Sequence, residues 1–139
     1  MKQTDSLRQE LMESPDLDRF LSENAESFEE EGCGEALQSI FDTKDYSKAE
    51  LARRSGMSTV YLHQLFSGYR KPSRDRLICL CFGLECSLDV TQDLLKKSGF
   101  LSLYPKNRRD AIIIYALTRG LSLQETNDKL FQENEETLF

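Results

Sequence analysis

The sequence predicts an all-α fold. Helix-length stretches recur between Ser and Gly punctuation along the 139 residues, and the apolar positions inside them fall three and four apart. Few segments show the period-2 alternation that a half-buried strand requires. A chain of 16.0 kDa suits one compact domain or a small domain with an appendage, because typical domains run to about 100–150 residues.

The elements follow in chain order. From Asp5 to about Glu31 the pattern predicts one or two acidic helices broken at Ser14-Pro15, with Leu17, Phe20, Leu21 and Phe28 placed to pack them. Glu35 to Lys44 supplies a further helix through Leu37, Ile40 and Phe41. Ser47-Lys48-Ala49-Glu50 reads as a capping box: the Ser hydroxyl accepts a free N–H at the helix start, while the Glu side chain reaches back to the Ser47 N–H. That helix starts at Lys48 and ends near Arg54-Ser55, where Gly56 supplies the left-handed conformation of a helix stop. Ser58 then caps a helix from Thr59 through Phe66, which stops at Ser67-Gly68.

Pro72 bars Lys71 from helical geometry, and Ser73 caps the next segment up to about Leu84. Its Leu77, Leu80, Cys81 and Leu84 form one face, with Ile78 and Phe82 turned to a second neighbour, so this helix is expected to be sandwiched. Ser87 opens a helix to Gly99, which makes five helices over 35–98. Beyond Pro105 a helix carries Ile112, Ile113, Ala116 and Leu117 to Gly120, and a second capping box, Ser122-Leu123-Gln124-Glu125, starts a last helix through Leu130-Phe131.

Net charge is -6, but it is unevenly spread. Residues 1–45 carry four basic and thirteen acidic groups, residues 46–76 seven and two, and residues 77–139 seven and nine. A short basic block thus lies between acidic neighbours, which is the distribution that matters for an anionic partner. A mean hydropathy of -0.52 describes a water-exposed surface. The uncharged runs at 77–84 and 111–117 fall far short of the roughly 20 residues of a membrane helix. Met1 to Asp5 leads into polar residues without a signal-peptide core, and the expected location is the cytoplasm. The four cysteines, Cys33, Cys79, Cys81 and Cys86, include no CxxC pair, and the single histidine, His63, falls in another helix. They are expected to be reduced, buried thiols rather than metal ligands. No phosphate-binding loop, dinucleotide fingerprint, HExxH motif or nucleophile–base set occurs, so neither enzyme nor cofactor is expected.

The stretch from Tyr46 to Ser73 resembles the helix-turn-helix core of the phage Cro and repressor family, the XRE-type regulators. It combines Glu50-Leu51-Ala52, the Ser55-Gly56-Met57-Ser58 turn, the apolar pair Leu62 and Leu65, and Gly68 followed by a basic residue and Pro72. The similarity covers about residues 35–98. The segment Leu103 to Asp110 and the helix after it look like the tail of a bacterial subgroup of such regulators. Phe66 departs from the pattern, which often has an acidic or polar residue there.

The resemblance implies a phage-repressor-like domain at 34–99, an acidic helical extension at 1–33, and a C-terminal helical extension at 100–139. The last either packs on the domain or supplies a homodimer contact through Ile112, Ile113, Leu117 and Leu130. It also implies a transcriptional regulator on double-stranded DNA, with the helix at about 59–67 in the major groove. The expected base readers are Ser58, Thr59, Val60, His63 and Gln64. Gln pairs with adenine through two hydrogen bonds, whereas Thr and Val meet a thymine methyl. The expected backbone contacts are Lys48, Tyr61, Ser67, Arg70, Lys71, Ser73 and Arg74, with Arg53 and Arg54 weaker candidates. The competing expectation is a protein-interaction adaptor on the same fold, its DNA binding weak, lost or gated by the acidic arm.

Overall fold

A computed structural model describes residues 4–13, 16–23 and 33–139. The chain divides into two compact units, Met1–Glu31 and Gly32–Phe139. The described residues of the first unit form α1 (Thr4–Glu13) and α2 (Leu17–Glu23). Leu17 and Leu21 are exposed, Phe20 is buried, and the expected break at Ser14-Pro15 and the expected packing residue Phe28 lie outside the described residues.

The second unit contains α3 (Gly34–Phe41), α4 (Lys48–Ser55), α5 (Thr59–Phe66), α6 (Arg74–Gly83), α7 (Leu88–Lys97), α8 (Arg108–Arg119) and α9 (Leu123–Gln132). No strand occurs among the described residues, so the all-α expectation holds. Serine hydroxyls at 47, 58, 73, 87 and 122 each accept the backbone N–H three residues on, which fixes the starts of five helices. Asn107 does the same for α8. Only at Ser122 is the reciprocal bond from the glutamate also made. The expected box at Ser47 is half formed, because the Glu50 carboxylate turns forward to Arg53 and Arg54. Two guanidinium partners outbid one backbone N–H.

The core runs through the whole second unit, from Leu37 of α3 through Leu51, Leu62, Leu65, Leu77 and Leu80 to Ile113, Leu123 and Leu130. At its centre lies α6, buried from Leu77 through Gly83 and thus sandwiched as its two apolar faces predict. It crosses α4 so closely that a Cβ on Gly83 would stand 2.1 Å from Ser55 Oγ. Only glycine permits that approach.

The N-terminal turns of α6 and α8 are tied by two reciprocal ion pairs. Arg74 meets Asp110 at 3.1 Å, and Arg109 meets Asp75 at 3.0 Å. Arg109 also donates to the carbonyls of Glu136 and Thr137, which holds the terminal residues against the body. Leu138 is buried there, its N–H given to Asn127 Oδ1 at 2.7 Å. Ile113, Leu117 and Leu130, offered above as dimer contacts, are buried in the chain's own core and present no surface to a second copy. Ile112 remains partly exposed.

Candidate nucleic-acid interface

The candidate interface begins with how α5 is held. Gly56, at φ 66°, ends α4 in the left-handed region, and two residues later Ser58 caps α5 by accepting the Tyr61 N–H at 3.1 Å. Leu62 and Leu65 then anchor the inner face, with Leu62 fully buried. Phe66 is partly buried and stacks on Phe41 at 5.7 Å between ring centres. That contact gives its departure from the usual polar residue a packing role.

With that face anchored, Ser58, Thr59, Val60 and His63 stand exposed and Gln64 is half-buried. Val60 is 69% exposed. Lys48 reaches across from the start of α4 to lie 3.5 Å from His63 Nδ1 and 5.5 Å from the Phe66 ring centre. Four of the five residues expected to read bases are therefore exposed, and Lys48 lies beside one of them, His63.

The loop after α5 closes on its own helix. Tyr69 and Arg70 both donate backbone N–H groups to the Gln64 carbonyl, and the Ser67 hydroxyl donates to it at 3.0 Å. Gly68, at φ 80°, makes the reversal possible. Arg70, Lys71 and Ser73 lie exposed along this loop. Ser73 is already engaged as the cap of α6, accepting the Arg76 N–H at 3.2 Å. Tyr61 is half-buried, with Arg76 4.6 Å from its ring centre and Arg70 5.9 Å away. Arg76 escaped the sequence reading because it lies three residues inside the helix after the loop. The signal that could have found it is its place at the end of the basic block.

Three basic residues are committed elsewhere. The Arg74 guanidinium is spent on Asp110 and on the carbonyls of Leu101 and Ser102, so it is not brought into this surface. Arg53 pairs with Glu50, while Arg54 binds Glu50 and Glu85 and lies over the Tyr46 ring at 4.2 Å. Hydrogen bonds from Arg53 and Arg54 hold the Glu50 carboxyl down at about 2. The local charge at that corner is thus largely compensated.

No helix among the described residues is long and apolar enough to cross a membrane. Residues 37–90 match the family model described as Helix-turn-helix. Two uncharacterised HTH-type transcriptional regulators of Mycobacterium tuberculosis, from strains CDC 1551 / Oshkosh and H37Rv, are each 38% identical over 81 residues. That is 58% of this chain and 56% of the relative, so the match spans about half the length of each curated relative. No solved structure matches the chain. The XRE-type resemblance holds: α4, the turn at Gly56 and α5 are a helix-turn-helix within the matched residues.

Proposed function

We propose that this helix-turn-helix chain is a sequence-reading DNA-binding transcriptional regulator that lays α5 in the major groove. The observation that carries the reading is the exposed face of α5. Thr59, Val60 and His63 stand in the open while Leu62 and Leu65 fix the helix from behind. In this reading Val60 meets a thymine methyl, and Thr59, His63 and Gln64 supply hydrogen bonds to base edges. Lys48, Tyr61, Ser67, Arg70, Lys71 and Ser73 ride on the phosphates, and Arg76 joins them beside Tyr61. Arg74 serves the fold instead. The role is one of binding, without catalysis, in the cytoplasm where the DNA is. A homodimer reading two half-sites one helical turn apart fits the mode.

Fluorescence anisotropy with purified chain, randomised duplexes and the duplex upstream of its own gene, at two salt concentrations, tests this. Salt-sensitive binding that enriches one sequence is the expected result. Thr59→Ala with Gln64→Ala should erase the preference while leaving helical content intact. No binding to any duplex at low salt overturns the reading and favours an adaptor.

A further inference from the structure

The end of α6 brings two thiols together in a way the interface does not use. Leu84 closes the helix, Glu85 adopts φ 55°, and the chain reverses. The Cys86 N–H donates to the Cys81 carbonyl at 2.9 Å and the Glu85 N–H to the Phe82 carbonyl at 3.0 Å. These are the paired 6→1 and 5→2 bonds of a Schellman motif, in which the side chains at the two ends of the longer bond touch. Here both are cysteines, so the reversal folds the Cys86 side chain back toward that of Cys81. A disulfide across this i, i+5 reversal requires the two Cα atoms to stand about 4.4–6.8 Å apart.

Access and reactivity differ between the two. Both line a cleft of about 820 Å³ whose walls also include Arg53, Phe82, Leu117 and Phe139. Cys86 is the more exposed, at 9%, whereas Cys81 is fully buried. The neighbouring Cys81, with a smaller contribution from Lys44, draws the Cys86 thiol below its ordinary value against the opposing effect of burial, while the same pairing and burial push Cys81 well above it. Cys86 thus borders the cleft with the more deeply buried Cys81 across the turn from it, the pairing of a more accessible thiol with a resolving partner.

We propose that Cys86 is a site of oxidation by small peroxides and that Cys81 resolves it as an intramolecular disulfide. In the first step the Cys86 thiolate attacks one peroxide oxygen. The S–O bond forms, the O–O bond breaks, and the other oxygen leaves as hydroxide or alkoxide, giving a sulfenic acid. In the second, the Cys81 sulfur attacks that sulfenic sulfur. The S–O bond breaks, and the oxygen leaves as water with the Cys81 proton. The peroxide is reduced by two electrons and the two thiols are oxidised by two, and a thiol reductant reverses the change.

The test exposes the folded full chain to substoichiometric hydrogen peroxide, alkylates the remaining thiols, and maps the products by mass spectrometry. Cleavage after Glu85 separates Cys86 from Cys79 and Cys81, so a covalent link between the fragments reports the bond and fragmentation assigns it. The expected product loses two hydrogens, joins Cys81 to Cys86, and leaves Cys33 and Cys79 alkylated. Cys81→Ser should leave a sulfenic acid on Cys86 that dimedone captures, and Cys81→Ala, which removes the group that draws the Cys86 thiol down, should be captured more slowly. Cys86→Ser should leave the other three thiols unoxidised. A bond that uses Cys33 or Cys79, a bond between chains, or oxidation only after unfolding in urea overturns the proposal.

Discussion

Ser55 shows how one residue can be both necessary in size and superfluous in chemistry. Its hydroxyl is buried with no hydrogen-bond partner at the closest approach of α4 to α6. A buried, unsatisfied polar group costs about 1–3 kcal/mol. Ser55→Ala should therefore raise the urea midpoint, with a gain of up to about 1 kcal/mol after lost packing. Glu50 makes the opposite point on the surface. Its carboxyl, ordinarily near 4.5, is held at about 2 by Arg53 and Arg54. A depressed folded value adds stability above the unfolded value, and that contribution is lost as pH falls from about 4.5 through about 2. The group is solvent-exposed, so the contribution is small. A carboxyl titration by NMR should give a Glu50 midpoint well below those of the other glutamates, and Arg53→Ala with Arg54→Ala should return it to the ordinary range.

At the scale of elements, α4 and α6 can be tested as a pair. Gly83→Ala would drive a methyl group into Ser55 Oγ and bring it 3.0 Å from Leu51 Cδ1. Overpacking of this kind costs about 1–3 kcal/mol, to be read as a lower thermal midpoint. In the Ser55→Ala background the nearest obstacle is gone, so part of the loss should be recovered. A purely additive pair would show that the two helices separate instead of clashing. The helix starts were legible in the sequence because a serine hydroxyl three residues before a backbone N–H is a local signal. The tie between α6 and α8 was not, because Arg74 and Asp110 are distant in sequence, and nothing local says that an arginine after a basic loop turns inward. The same blindness hid the contact of Arg76 with the Tyr61 ring, which lies on another helix. Asp110 is 7% exposed and also accepts the Tyr104 N–H. Asp110→Ala should then cost about 1–3 kcal/mol, the usual loss when buried donors lose their acceptor. Circular dichroism under urea would measure it.

For the whole molecule, net charge of -6 hid the feature that mattered, and only the division along the chain revealed a basic block. In the folded state that block separates again. Arg53, Arg54 and Arg74 are neutralised by carboxylates, while Arg70 and Arg76 lie by the Tyr61 ring of α5 and Lys71 is exposed in the loop after it. A phosphate-bound cation contributes about 0.9 to the slope of log affinity against log salt. Arg70→Ala should lower that slope by about one and weaken all duplexes alike, whereas Arg53→Ala should leave it nearly unchanged; equal effects would show that Glu50 releases its partner on binding.

The central position of α6 has one more consequence. It packs on α4, on α7 and on α9, so the amide protons along its buried stretch reach solvent only when more than one flank opens. They should exchange at the rate set by global unfolding, and those of the buried turns of α4 and α9 should approach the same limit. Deuterium uptake would then record a tight ligand of either flank as slower exchange in α6, a helix that the ligand never touches.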